Sequence, residues 1–91
     1  MRFAWDPSKA QLNVRKHGVT FDEAATCFGD DLALELGDAD HPDRLILIGV
    51  SATTRLLLVV FAVLEEHDLI RIVSARPTTR NERRKYEEGA F

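Results

Sequence analysis

Positive charge is concentrated in the segment between Arg71 and Lys85. This segment has six basic residues and one acidic residue, a local charge of +5, whereas the rest of the 91-residue chain has six basic and fourteen acidic residues, a charge of −8. The net charge of the chain is therefore −3. Because the planar guanidinium of arginine binds phosphate and carboxylate oxygens through paired hydrogen bonds, the segment could bind a polyanion or an acidic partner. It could also be the solvated face of a helix.

Arginines elsewhere in the sequence are predicted to join this segment on one face of a sheet. If the hairpin loops are centred between residues 52 and 53 and between residues 66 and 67, Leu57 lies beside Arg76. Side chains alternate along strands, so that four polar residues then share a face. These residues are Arg44, Arg55, Ser74 and Arg76. Convergent guanidiniums repel one another unless an anion lies among them, and a shift of one residue in either hairpin would break the group.

Local ion pairs are the alternative explanation of these arginines. Acidic residues at positions 38, 40 and 43 flank Arg44, whereas no acidic residue lies within five positions of Arg76. Arg83 and Lys85 belong to a predicted helix whose i, i+4 pairs with acidic residues are typical of a solvated face. We therefore expect Arg76, rather than Arg83 or Lys85, to bind an anion.

Local signals predict the element order βααββββα. Asp6 and Pro7 can begin a helix that ends at His17, and a T-x-x-E pattern begins a second helix at Thr20. Alternating and apolar runs predict strands over residues 2–5, 32–36, 45–50, 55–64 and 69–75, and another T-x-x-E pattern begins the last helix at Thr79. We expect a single α+β domain over residues 1–91, in which helices pack on one face of a small antiparallel sheet of four to five strands. A partner chain could partly cover the other face.

Composition excludes several classes of protein. The single cysteine, Cys27, allows no internal disulfide and is expected in the core; it favours a reducing compartment, so we expect a cytoplasmic location. No signal peptide is predicted, and the longest apolar run, residues 56–64, is too short to span a bilayer. The sequence has no P-loop, Ser/His/Asp or zinc pattern, and we expect no cofactor and no metal. His41 and His67 are expected to be exposed loop residues.

Three ordered motifs resemble one family of small proteins. Residues 5–18 read W-D-x-x-K-x-x-x-N-x-x-K-H-G, F-x-E-A follows at Phe21, and S-A-R with E-R-x-x-Y lies between Ser74 and Tyr86. In this order and at this spacing, the motifs resemble the BrnT family, toxins of type II toxin–antitoxin modules. The resemblance covers nearly the whole chain. The pair Pro77-Thr78 departs from the family pattern and affects the turn into the last helix, but should leave Arg76 in place.

The resemblance to the BrnT family implies a RelE-like fold of the microbial-ribonuclease type, and cleavage of RNA (mRNA) that arrests translation. It also implies a BrnA-type antitoxin whose ribbon-helix-helix domain binds operator DNA, in a hetero-oligomer with two-fold symmetry. The RNA could be free or on a ribosome. Cleavage without a metal requires in-line attack by the 2′-hydroxyl, proton transfer, and stabilisation of the charge that develops on phosphorus.

These requirements select residues from the motifs and from the predicted arginine face. The residues expected to take part in catalysis are Arg76, Arg55, Arg44, Tyr86 and His17. The residues expected to bind RNA are Lys16, Arg80 and Ser74. The arginines would stabilise charge; the proton would be transferred by the histidine, or by the tyrosine if a nearby arginine lowered its pKa. This choice stays open because the sequence does not bring the first helix to the sheet.

Two other functions are compatible with the residues alone. The chain could be a non-catalytic module whose basic segment binds an acidic partner, or a small DNA-binding repressor. The repressor requires a recognition helix, and none of the three predicted helices resembles one half of a helix-turn-helix. Incubation with RNA, with and without a chelator, distinguishes the ribonuclease from the binding module.

Overall fold

The computed structural model describes residues 1–89, which form five β-strands and three α-helices. In chain order these are β1 (Arg2–Ala4), α1 (Pro7–His17), α2 (Phe21–Thr26), β2 (Leu34–Gly37), β3 (Leu45–Val50), β4 (Leu56–Leu64), β5 (Leu69–Pro77) and α3 (Arg80–Glu88). Short 3-10 turns follow α2 and β4. The predicted α+β class and order βααββββα are confirmed. None of the helices formed by residues 1–89 has the length and apolar character that a membrane span requires.

The five strands form one sheet in the order β1-β5-β4-β3-β2. The pairs β2–β3, β3–β4 and β4–β5 are antiparallel, as predicted. The edge strand β1 instead runs parallel to the first residues of β5, with Arg2 opposite Leu69 and Ala4 opposite Arg71. Parallel neighbours require a long crossover connection, which the intervening helices and strands supply here. The sheet is therefore mostly antiparallel and carries one parallel edge pair that the sequence did not predict.

Each face of the sheet carries its own apolar cluster. On the first face, Val59, Phe61 and Ile72 pack with residues of α2 and its following turn. On the second face, Ile48 and Leu58 pack against Tyr86 of α3. The prediction that helices pack on one face therefore holds for α1 and α2. It is wrong for α3, whose Tyr86 packs in the apolar cluster of the second face.

Cys27 belongs to the core cluster of the first face and is fully buried, as predicted. Burial, together with the nearby carboxylates of Glu23 and Asp30, raises the pKa of its thiol to about 12. A buried thiol of this kind is unreactive as a nucleophile. Gly49 of β3 lets the turn at Cys27 approach closely, since a Cβ at Gly49 would lie 3.1 Å from the Cys27 carbonyl oxygen.

The β3–β4 hairpin is shifted by one residue from the predicted pairing. Val50 pairs with Leu56, so that the turn is centred on residue 53. Thr54 takes a left-handed conformation with φ of 65°, and its N–H donates to the Ser51 carbonyl at 2.9 Å. The extra turn residue places Leu45, rather than Arg44, opposite Phe61. Arg55 keeps the face of Leu57, which lies in the core cluster of the first face, because side chains alternate along β4.

The β4–β5 hairpin follows the predicted pairing only near its turn. Phe61 pairs with Ile72 as predicted, but Val60 pairs with Ser74, so that Val73 is an extra residue in β5. A bulge of this kind leaves one residue unpaired and exchanges the faces of the residues beyond it. Arg76 consequently pairs with Leu58, on the second face of the sheet. The predicted common face of Arg55 and Arg76 is therefore wrong.

Candidate active site

A shallow cleft lies between α1 and the unpaired edge of β5. Its volume is about 150 Å³, and it is lined by Lys9, Leu12, Asn13, Lys16, His17, Val73 and Ser74. Three residues that the sequence assigned to the site, Lys16, His17 and Ser74, thus meet in one place. The cleft exists because β1 pairs only with the beginning of β5, and α1 lies beside the rest of the strand.

The lining of the cleft is cationic. Lys9 and Lys16 are two helical turns apart on α1 and both are exposed, while His17 is half-buried beside them. No carboxylate lines the cleft in the part of the chain that the structure describes. Two ammonium groups, an imidazole and the Ser74 hydroxyl are suited to bind phosphate oxygens and to transfer a proton.

The end of α1 is determined by local signals that the sequence already shows. Asp6 caps the helix by accepting a hydrogen bond from the Ser8 N–H at 2.8 Å, and Pro7 occupies its first position. Gly18 ends the helix in the left-handed conformation with φ of 69°, which glycine adopts without steric cost. His17 is therefore the last residue of the helix, at the mouth of the cleft.

Arg55 lies next to this helix end but is held by a carboxylate. Its Nε donates to Glu23 Oε2 at 2.9 Å, and its Nη2 donates to Glu23 Oε1 and to the Gly18 carbonyl. The hydroxyls of Ser51 and Thr53 donate to the same Glu23 oxygen at 2.8 and 2.6 Å. Glu23 was predicted to complete a capping box with Thr20; Thr20 does accept from the Glu23 N–H, but the Glu23 carboxylate binds the hairpin turn. Arg55 thus ties the β3–β4 turn to α2.

Replacing Glu23 by glutamine should lower the stability of the fold and flatten its acid dependence. The hydrogen bond from Arg55 and those from Thr53 and Ser51 outweigh burial and lower the pKa of Glu23 from 4.5 to about 2. Because the folded-state pKa is the lower one, this stabilisation is complete above pH 4.5 and is lost as the pH falls towards 2. We expect Glu23→Gln to lower the free energy of unfolding at neutral pH by about 1–3 kcal/mol, since hydrogen bonds to a charged group are lost.

The measurement is urea unfolding followed by circular dichroism across the acid range. The control is Asp22→Asn, which removes the exposed neighbouring carboxylate. If Glu23→Gln kept the full acid dependence of the parent, Glu23 would not be the group responsible.

Arg76 forms a two-pronged ion pair with Glu82 on the second face. Its Nη1 and Nη2 each donate to one oxygen of the Glu82 carboxylate at 2.8 Å, and Nη1 also donates to the Pro77 carbonyl. Glu82 completes the capping box that the sequence predicted, because it accepts from the Thr79 N–H at 2.9 Å. The Arg76 hydrogen bond lowers the pKa of Glu82 despite partial burial.

Arg55 and Arg76 differ in which edge of the guanidinium binds a carboxylate. A guanidinium has one edge formed by its two terminal nitrogens and another formed by Nε and Nη2, and either edge can bind an oxyanion in two-pronged fashion. Arg55 uses its Nε edge for Glu23. Arg76 uses its terminal edge for Glu82, and its side chain is 36% exposed. Within residues 1–89, the Nε of Arg76 donates no hydrogen bond, while Glu82 fixes the orientation of the guanidinium.

Tyr86 is bonded to a carboxylate rather than to an arginine. Its hydroxyl donates to Asp30 Oδ2 at 2.6 Å, and Asp30 also accepts from the N–H groups of Val50 and Leu32. Burial alone would raise the pKa of Asp30, but these hydrogen bonds outweigh it and lower that pKa. The bond to Asp30, with burial, raises the pKa of Tyr86 to about 12. The direction is opposite to the one expected for a tyrosine that acts as a base.

The single tyrosine of this chain allows that shift to be measured directly. We expect the ultraviolet absorbance of tyrosinate to appear with a midpoint near pH 12 in the folded protein and near the ordinary value of 10 in denaturant. The stabilisation from Tyr86 is therefore present below pH 10 and is lost as the pH rises towards 12. Asp30→Asn should move the folded midpoint back towards 10. A midpoint at 10 in the folded parent, with circular dichroism unchanged, would contradict the Asp30 contact.

The other predicted site residues lie apart from the cleft. Arg44 lies in the loop before β3, and two strand spacings separate β3 from β5 in the sheet. Arg80 begins α3 and is exposed. The structure thus brings together Lys16, His17 and Ser74 and places Arg55 against the end of α1. The residues that do not line the cleft are Arg44, Arg76, Arg80 and Tyr86, and Arg76 is two residues beyond Ser74 in β5.

Two cleft residues were missed by reasoning from the sequence. Lys9 and Asn13 were noted only as parts of a motif, but they line the cleft. Their spacing could have revealed them, because residues 9, 13 and 16 follow the i, i+4, i+7 pattern of one helix face. Because these polar positions share one face of α1, they predict that this face does not pack in the apolar core.

The chain is a small α+β protein with a cationic cleft at the edge of its sheet. A family model described as "Ribonuclease toxin, BrnT, of type II toxin-antitoxin system" matches residues 5–82. This chain therefore belongs to the BrnT family of ribonuclease toxins. Among solved structures, the Brucella abortus ribonuclease toxin BrnT is similar in fold, with a TM-score of 0.71, 24% sequence identity, and coverage of 88% of this chain and 99% of that chain. Comparison with curated proteins found no match.

Proposed function

We propose that this protein is an endoribonuclease that cleaves RNA without a metal ion, at the cleft between α1 and β5. The observation that carries the proposal is the meeting of Lys9, Lys16, His17 and Ser74 in one cleft that no described carboxylate lines. Cations without a local acid attract a polyanionic backbone. Membership of a family named for ribonuclease toxins supports RNA as the polyanion.

The reaction is a transfer within the substrate. The 2′-hydroxyl loses its proton and attacks the adjacent phosphorus, the bond to the 5′-oxygen breaks, and that oxygen receives a proton. The products are a 2′,3′-cyclic phosphate and a 5′-hydroxyl. In this mechanism His17 accepts the proton of the 2′-hydroxyl, and solvent water supplies the proton that the leaving 5′-oxygen receives. Lys16 and Ser74 hold the phosphate in line, and Arg76 stabilises the added negative charge through its Nε edge.

Arg76 is suited to this role by its place in the strand. Ser74 lines the cleft, and Arg76 is two residues further along β5, with the bulge at Val73 behind both. Two residues of a strand span roughly 7 Å, a distance that a long arginine side chain can bridge. The Arg76 guanidinium can therefore reach the phosphate that Lys16 and Ser74 hold. We assign Tyr86 to packing and Arg55 to fixing the hairpin turn. Flanking contacts are assigned to Arg44 and Arg80.

Family membership supports a proposal for the biological setting. We propose that the RNA is mRNA, that cleavage arrests translation in the cytoplasm, and that a ribbon-helix-helix antitoxin encoded beside this chain neutralises it. Membership of a type II toxin–antitoxin family supports a protein antitoxin. A short adjacent reading frame with a ribbon-helix-helix pattern is the observation that tests this partner.

The activity is tested by incubating the purified protein with an RNA transcript, with and without EDTA, and with and without ribosomes. We expect cleavage that the chelator does not change, with 2′,3′-cyclic phosphate and 5′-hydroxyl ends. Cleavage abolished by EDTA would overturn the metal-free mechanism. No cleavage under any of these conditions would overturn the ribonuclease and favour a non-catalytic module that binds an acidic partner.

A further inference from the structure

Asn13 is a buried polar residue of α1, only 6% exposed, at the floor of the cleft. Its Oδ1 accepts a hydrogen bond from the Ala75 N–H at 3.1 Å. Its Nδ2 donates to the Ala75 carbonyl at 2.8 Å and to the Val19 carbonyl at 2.9 Å. One amide side chain thus satisfies three backbone groups in two separate segments of the chain.

The place of these bonds in the sheet is specific. β1 pairs with β5 only as far as Arg71, so that the outer edge of β5 at Ala75 has no neighbouring strand. Asn13 supplies the donor and the acceptor that a strand would supply there. Among the side-chain hydrogen bonds within residues 1–89, those of Asn13 are the ones that join α1 to β5.

These bonds connect the two halves of the cleft. Ala75 lies between Ser74 and Arg76 in β5, while Lys16 and His17 follow Asn13 by three and four residues, one turn along the same helix. The contact with Val19 also fixes the turn that follows His17. A shift of α1 along β5 would change the distance from His17 to Ser74 and Arg76 together.

We propose that Asn13 is a positioning residue for RNA cleavage, which sets the register of α1 against β5 and so aligns His17 with Ser74 and Arg76. This inference rests on the proposed ribonuclease function. Asn13 acts through these residues and has no chemical step of its own. Only an amide fits, because a carboxylate would place an anion against two carbonyl oxygens and an apolar side chain would leave all three backbone groups without partners.

The test compares Asn13→Ala and the isosteric Asn13→Asp with Ile70→Ala. Ile70 is a buried residue of β5 that pairs with Val63 at the far end of the strand, so its variant loses stability without touching the cleft. All proteins are assayed at a temperature at which circular dichroism shows them folded, and Asn13→Asp serves if Asn13→Ala does not fold. The rate of single-turnover cleavage of an RNA transcript is measured at saturating protein, together with the half-saturating protein concentration.

We expect the saturating rate of the Asn13 variants to fall at least about tenfold, since misplacement by an ångström is enough for such losses. For Asn13→Ala the half-saturating concentration should change by less than about threefold, because each RNA-binding group keeps its charge; Asn13→Asp adds an anion to the cleft and should raise that concentration further. Ile70→Ala should cleave at the parent rate. Equal rates for Asn13 and Ile70 variants of matched stability would overturn the positioning role.

A second readout does not depend on cleavage. In backbone NMR spectra, the amide signals of His17, Ser74 and Arg76 should move in the Asn13 variants and stay in place in Ile70→Ala. Unchanged signals would overturn the inference. If the parent did not cleave RNA, the proposed function would fail, and the NMR comparison alone would decide whether Asn13 sets the register of α1 against β5.

Discussion

Arg76→Ala should lower the rate of RNA cleavage by roughly 10²–10³-fold, because a fixed charge that faces the developing phosphorane charge is lost. Among the described residues, the Nε of Arg76 has no hydrogen-bond partner, while Glu82 holds the other edge at 2.8 Å. Arg76→Lys should recover only part of the rate, because an ammonium keeps the charge and not the planar fork. In cells, expression of Arg76→Ala should no longer arrest growth.

The control for Arg76 must separate chemistry from stability. Arg83→Ala removes an exposed arginine of α3 and should cleave at the parent rate. The double variant Arg76→Ala/Glu82→Gln removes the carboxylate that Arg76→Ala leaves without its partner; it should be more stable than Arg76→Ala and equally inactive. Full toxicity of a normally folded Arg76→Ala protein would remove Arg76 from the site.

His17→Ala should reduce cleavage by about 10²–10⁴-fold, the usual effect of losing a group that transfers a proton in the transition state. His17 is half-buried at the end of α1 and lines the cleft with Lys16 and Ser74. Binding is measured by fluorescence anisotropy with a transcript that has a 2′-deoxy substitution at the cleaved position and so cannot be cut. The affinity should fall little in His17→Ala, because Lys9 and Lys16 remain.

The chain provides two matched controls for His17. His41 and His67 are exposed and lie outside the cleft, so that His41→Ala and His67→Ala should cleave at the parent rate. The pH profile of cleavage should change in His17→Ala and stay unchanged in the two control variants. A His17→Ala protein that keeps the parent rate and profile would exclude the imidazole as the proton-transfer group.

Helix ends were predictable because their signals act within a few residues. Asp6 and Pro7 begin α1, Gly18 ends it, and the Thr79–Glu82 capping box begins α3, each as predicted. The element order followed from hydrophobic periodicity for the same reason. The motifs that indicated the BrnT family lie in order along the chain, and the family match over residues 5–82 confirms the family.

The arginine group was not predictable because strand register is a property of whole hairpins. One additional turn residue placed Leu45 rather than Arg44 opposite Phe61, and the bulge at Val73 moved Arg76 to the second face, away from Arg55. Ion pairs then decided which guanidinium edge stayed available. Glu23 takes the Nε edge of Arg55, and Glu82 takes the terminal edge of Arg76, over sequence separations of 32 and 6 residues.

From the sequence alone, the order of elements, the caps of the helices and the family could be determined, since each depends on residues close together in the chain or on motifs in order along it. The tertiary structure alone decided that His17 and Lys16 meet Ser74. That meeting depends on α1 lying against an edge that β1 leaves unpaired, and on Asn13 bonding to Ala75 across 62 residues. Contacts at such a separation are selected by the packing of the whole sheet, which short windows of sequence do not contain.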